Sequence, residues 1–111
     1  MDRLLELFKA LSDETRLRIM VLLLKRDYCV CELTEILELS QPKISKHLSK
    51  LRDLGFVSTF RDKQFMVYTI TINNQVFKVI LETVLGNIKD YPVLIEDAKR
   101  TANCVVRERR Q

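Results

Sequence analysis

Across Gly55 the apolar residues change from a helical spacing to a strand spacing. That switch, directly behind a well-capped helix, restricts the fold to a helical body with a hairpin attached. Upstream, in LELSQPKISKHLSKLRDLGF, Ile44, Leu48 and Leu51 recur at i, i+4 and i+7 and form one buried stripe. Ser40 supplies an N-cap oxygen, Pro42 is tolerated in a first turn that has no partner for its missing N–H, and Gly55 suits a left-handed stop. Downstream, FVSTF and QFMVYTITI are rich in β-branched and aromatic residues, with Arg61-Asp62-Lys63 as a polar turn between them. The pattern predicts a helix over about 41–54 and a β-hairpin over about 56–72.

The remaining periodicity is helical. Leu4, Leu7, Phe8 and Leu11 mark a short amphipathic first helix, and Ser12 before Asp13-Glu14 starts a second that runs through TRLRIMVLLLK to about Lys25. A third, short helix begins near Cys29 or Cys31 and carries Leu33, Ile36 and Leu37 inward to about Glu38. This helix, a tight polar turn and the 41–54 helix make a helix-turn-helix, and the hairpin behind it is a wing. Asn73-Asn74 opens a further helix, broken near Gly86 and Pro92, and VLIEDAKRTANCVV is the last helical stretch before the charged tail at 107–111.

The predicted class is therefore mainly α with a β-hairpin wing (α+β), one winged helix-turn-helix domain over 1–106. The 111 residues, 47% apolar, support a single modest core that a partner subunit is expected to complete, and only two glycines and two prolines argue against a β-sandwich. MDRLLELF does not read as a signal peptide and IMVLLL is too short to cross a bilayer, so the expected location is cytoplasmic, with no membrane partner.

Charge is localised. Of the net +4, the whole surplus lies between Leu39 and Lys63, where six bases face two acids, while the rest of the chain is balanced. A basic excess confined to the helix-turn-helix and wing suits a polyanion such as double-stranded DNA. Gln41, Lys43, Ser45 and Lys46, at the front of the recognition helix, are placed to enter the major groove. Ser40, Lys50, Arg61 and Lys63 are placed for phosphate or minor-groove contacts that set register. His47 lies beside the buried stripe, so packing and DNA contact are both open to it. A small thiol enzyme is the competing class, but the chain offers no glycine-rich anion loop and no evident general base. Such an enzyme would also leave the localised charge unexplained, and a winged helix used for protein contacts alone is a third class, which the salt dependence of DNA binding separates.

YCVCELTEIL holds two of the three cysteines, at positions i and i+2, which point about 200° apart on a regular α-helix. Cys29 and Cys31 can act on one ion only where the backbone is not helical, as at a helix start, where free amides and the helix dipole also favour thiolate.

These residues together resemble the ArsR/SmtB family of metal- and metalloid-responsive winged-helix repressors, in particular its arsenic-responsive ArsR branch. LSDETRLRIMVLLL, CVCEL, SQPKISKHLSKLRDLGFV and the hairpin ending in VYTI carry the resemblance, which covers roughly residues 3–75. It implies a homodimer held by the first and last helices, with C-terminal dimerisation helices at about 74–106, that leaves a palindromic operator when As(III) or Sb(III) is chelated by Cys29 and Cys31. No resident cofactor is required. The chain departs from the fuller family motif at Thr34, which stands where a third cysteine would be. An exogenous ligand or none ranks above Cys104 as the third donor. Cd(II), Pb(II), Zn(II) or thiol oxidation are the alternative signals for the same fold, although the Asp/His array of the zinc branch is absent from Val93 onward.

Overall fold

The recognition helix is built as its sequence specifies. Ser40 Oγ accepts the backbone N–H of Lys43 at 3.3 Å, Pro42 sits in the first turn, and Ile44, Leu48 and Leu51 are fully buried. At the far end Gly55 takes φ +82°, and the amides of Gly55 and Phe56 bond back to the carbonyls of Arg52 and Leu51 at 2.9 and 3.0 Å. That pair of bonds is a Schellman motif, which satisfies helix-end carbonyls that would otherwise lack donors.

The computed structural model describes residues 1–103, which form α1 (Asp2–Leu11), α2 (Glu14–Lys25), β1 (Tyr28–Cys29), α3 (Val30–Leu37), α4 (Gln41–Asp53), β2 (Val57–Asp62), β3 (Phe65–Ile70), α5 (Gln75–Gly86), a 3-10 turn (Ile88–Asp90) and α6 (Pro92–Asn103). Cys104 and the charged tail lie outside the described residues. The chain is a winged helix, and its central helix is α2, whose Ile19, Met20, Leu22 and Leu23 join Leu33, Ile36, Leu48, Phe56 and Leu81 in one core. Ser12 was expected to start α2; Asp13 does so, its carboxylate accepting the Arg16 amide at 3.1 Å, while Ser12 Oγ donates to Lys9 O at 2.7 Å and closes α1. The carboxylate is the stronger acceptor for free amides at the positive end of a helix.

Two differences from the sequence expectation bear on function. The wing turn is two residues, Lys63 and Gln64, because Asp62 pairs with Phe65 and Arg61 with Met66, so Arg61 and Asp62 are strand residues. Lys63 reaches this tight turn with φ +60°. The sheet has a third strand: β1 pairs antiparallel with β3, Tyr28 opposite Tyr68 and Cys29 opposite Val67, giving the order β1-β3-β2. Two residues are too few to show a strand period.

One face of the last helix packs on its own chain. Leu94 and Asp97 of α6 are buried against their own chain. Arg18 of α2 donates Nε and Nη2 to Asp97 Oδ2 and Oδ1 at 2.9 and 2.8 Å, and Nη2 also reaches Leu37 O at 3.1 Å. Arg100 donates to Ile36 O and, at 3.0 Å, to Asp97 Oδ1. Side chains from α2 and α6 thus cap the last carbonyls of α3. The large apolar side chains left exposed on the first and fifth helices are Leu5 and Phe8 of α1 and Val76 and Val79 of α5.

Candidate functional site

The basic face assembles on one helix and the wing. Ser40, Gln41, Lys43, Lys46 and Lys50 are exposed, Ser45 is half-buried, and Arg61 and Lys63 are exposed on the wing. The opposite side of α4 is anchored by its apolar stripe, so the outward direction of these groups is set by packing. His47 is turned inward, with Nδ1 3.9 Å from Asp13 Oδ1 and most of its side chain covered. Burial, followed by the attraction of Asp13 and the opposing charges of Arg16, Lys46 and Lys43, leaves the imidazole pKa below its ordinary value. The ring is therefore neutral at neutral pH, and its approach to Asp13 is a contact between α4 and the start of α2 rather than an ion pair.

The two thiols converge although their spacing on a helix would separate them. Cys29 is the N-cap of α3, with extended backbone at φ −86° and ψ 166°, and Cys31 lies in the first turn. Their Sγ atoms are 2.9 Å apart, both as free thiols. The α-helix from Val30 stays intact, because the single extended residue ahead of it supplies the rotation. Cys29 is buried and Cys31 is exposed.

Glu32, which the sequence reading passed over, holds this arrangement. Its carboxylate is buried and accepts the Cys29 backbone N–H at 2.9 Å, while the Cys29 sulfur faces the Glu32 amide. This is a capping box with cysteine in the place usually taken by serine or threonine, and the C-x-x-E spacing was the available signal. The expectation that the helix start favours thiolate does not hold for Cys29. Burial, then its hydrogen bond with Cys31, pushes the Cys29 pKa from 9.0 up to about 11 and outweighs the helix amide.

As a donor set the site offers two sulfurs. A metal–sulfur bond of about 2.3 Å with an angle near 100° places two thiolates roughly 3.5 Å apart, so the pair has to open by only a fraction of an ångström. Thr34 Oγ1 donates to Cys31 O at 2.7 Å, which commits its proton to the helix. Among the described residues no group of three His, Cys, Asp or Glu is placed to hold a metal ion.

Similarity to known proteins fits this geometry. Residues 13–59 match the family described as bacterial regulatory protein, arsR family. The structure superposes on HlyU from Vibrio cholerae with a TM-score of 0.70 at 34% identity, covering 82% of this chain and 94% of that one. The chain belongs to the ArsR family. The ArsR family is one of regulators, not of enzymes. Among curated relatives, the arsenic resistance transcriptional regulator ArsR1 of Pseudomonas putida is 48% identical over 64 residues, 57% of this chain and 50% of the relative. The cadmium resistance transcriptional regulatory protein CadC of Listeria innocua is 41% identical over 64 residues, 57% of this chain and 54% of the relative. The chain thus matches about half the length of each of these two ArsR-family relatives. Among the described residues no helix is long and apolar enough to cross a membrane.

Proposed function

We propose that this ArsR-family chain is a metalloid-responsive repressor, which binds operator DNA as a homodimer and leaves it when As(III) or Sb(III) is chelated by Cys29 and Cys31. The observation that carries the reading is the 2.9 Å approach of the two sulfurs at the start of the helix that supports the recognition helix. A soft, thiophilic ion is the ligand two converging thiols favour. The names of two relatives, one for arsenic and one for cadmium, support a soft-ion inducer without choosing between them.

Gln41, Lys43, Ser45 and Lys46 read the major groove, and Ser40, Lys50, Arg61 and Lys63 fix register on phosphate or in the minor groove. The exposed Leu5 and Phe8 of α1, Val76 and Val79 of α5 and Val93 of α6 supply apolar surface for a dimer through the first and last helices. The two recognition helices then meet successive major grooves about 34 Å apart.

Chelation acts through the Cys29 cap. An ion draws the sulfur away from the Glu32 amide and out of its buried seat, and the cap joins two elements at once. One is α3, which positions α4 through the turn at Glu38. The other is β1, which is hydrogen-bonded to the wing strand β3. A coupling of about 1–3 kcal/mol lowers operator affinity roughly 5- to 150-fold. Because the sulfurs already meet at an extended residue ahead of α3, the helix need not unwind for this.

The alternative is that the same pair answers Cd(II), Pb(II) or Zn(II), or oxidises, and the proximity of the sulfurs favours that reading equally. Fluorescence anisotropy on the upstream DNA of the gene, titrated in turn with As(III), Sb(III), Cd(II), Pb(II), Zn(II) and a thiol oxidant, separates these. Binding that weakens steeply with salt and is released first by As(III) or Sb(III) is the expected result. Salt-insensitive or absent binding counts against a repressor of any kind.

A further inference from the structure

Arg3, near the start of α1, reaches across to the far end of the recognition helix. Its Nη1 donates to the carbonyl oxygen of Leu54, the residue that caps α4, and its guanidinium lies 4.5 Å over the Phe56 ring at the base of the wing. Phe56 is fully buried and meets Phe77 of α5 edge to face at 5.9 Å. Nη1 also donates to Glu6 Oε1 at 2.8 Å, one turn further along α1, which orients the guanidinium toward Leu54. One side chain of α1 thus touches both the end of the recognition helix and the first ring of the wing.

The groups match in chemistry as well as in place. The Schellman amides of Gly55 and Phe56 go to Arg52 and Leu51, so they do not reach the carbonyl of Leu54, which Arg3 takes. A cation suits the negative end of a helix, and the face of an aromatic ring accepts a guanidinium. Yet the Arg3 side chain is 53% exposed, and Leu7 and Ala10 already bury α1 against its own chain. A contact this exposed adds little to stability, but it fixes direction. With 13 residues α4 is about 20 Å long and is held in front by the turn from α3, so a shift at Leu54 changes the angle at which Gln41 to Lys46 enter a groove. The helix that bears Arg3 also carries the exposed Leu5 and Phe8.

We propose that Arg3 is a positioning residue for operator binding, which ties the dimer face of α1 to the end of the recognition helix and so sets how the two recognition helices of a dimer are spaced. The inference rests on the operator-binding homodimer proposed above and is independent of the thiols.

Anisotropy of the full chain tests it on the operator, on the operator with its half-sites moved one base pair closer or farther apart, and on a scrambled duplex. Arg3→Ala is expected to weaken operator binding by about fivefold or more and to blunt the preference for the native spacing, with the dimer, measured by sedimentation, and the urea midpoint retained. Binding to the scrambled duplex, which follows total charge, is expected to change by less than about twofold. Arg3→Lys, which keeps a cationic donor, is expected to recover part of the loss. Lys25→Ala, which removes an equal charge from an exposed site, is expected to leave affinity and spacing preference unchanged.

Native affinity and spacing preference in Arg3→Ala overturn the proposal. So does a loss matched on the scrambled duplex or in Lys25→Ala, an Arg3→Lys protein no better than Arg3→Ala, or an Arg3→Ala chain that no longer dimerises, which makes the residue merely structural. A native chain that binds no operator or stays monomeric overturns the inference together with the reading it rests on, whereas the other outcomes overturn the inference alone.

Discussion

Cys29 stands opposite Val67 in the antiparallel pairing of β1 with β3, so one thiol of the proposed sensing pair belongs to the same sheet as the wing. A change at the Cys29 backbone is felt by β3 directly, without passing through the recognition helix. Hydrogen exchange read by mass spectrometry is therefore expected to rise in Met66–Tyr68 on As(III) addition, alongside any change in α4. Unchanged exchange in β3 while DNA is released would confine the transmission to α3 and α4.

The buried Cys29 thiol gives the fold a signature at high pH. Its pKa is raised by burial from 9.0 to about 11, so the folded state holds the proton more tightly than the unfolded chain. The corresponding stability is complete below about pH 9 and is lost as pH rises through 11, amounting to about 2–3 kcal/mol at 1.36 kcal/mol per pH unit. Urea unfolding of the native protein and of Cys29→Ser, compared at about pH 8 and about pH 10.5, should show the larger high-pH loss in the native chain. A divalent cation such as Cd(II) has to expel the same proton into solution, so its affinity should rise by about tenfold per pH unit for this thiol alone below its pKa, whereas neutral As(OH)3 gives up a hydroxide that leaves with that proton as water and its affinity should stay flat.

The Arg18–Asp97 pair is nearly sealed from water, with side chains 9% and 3% exposed. Asp97→Ala leaves Arg18 charged, buried and without its fork, and should cost about 3–5 kcal/mol in urea unfolding. Because Arg18 and Arg100 also bond to the carbonyls of Leu37 and Ile36, the loss is expected to loosen the end of α3, visible as faster amide exchange there.

Glu38 ends α3 in the left-handed region at φ +56°, a conformation that suits glycine. Its carboxylate lies 3.8 Å from Arg100 and is well exposed, so that ion pair contributes little. Glu38→Gly should therefore stabilise the chain by about 0.5–1 kcal/mol, measured as a higher urea midpoint with an unchanged slope.

Much of this architecture was legible in the sequence because its signals are local. The recognition helix is specified by Ser40, Pro42, the Ile44–Leu48–Leu51 stripe and Gly55, each of which acts within a turn or two of chain. The wing was legible from its β-branched alternation, but its turn was placed too early, because Arg61 and Asp62 are polar residues that happen to stand on a strand. What could not be read depends on distant partners. The two residues of β1 become a strand only against β3, and α6 is held by Arg18, 79 positions away from Asp97. The thiol pair was found from its residue types, while its geometry follows from one extended residue fixed by Glu32. The pKa of Cys29 went the other way from the local expectation, since burial by the core outweighs the amide at the helix start.

The most direct test of the central claim is operator release measured by anisotropy in the native chain and in Cys29→Ser/Cys31→Ser. The double variant keeps a capping oxygen at position 29 and should bind operator DNA like the native chain. As(III) is expected to lower operator affinity of the native chain by roughly 5- to 150-fold and to leave the variant bound. Equal release of both proteins would contradict the account.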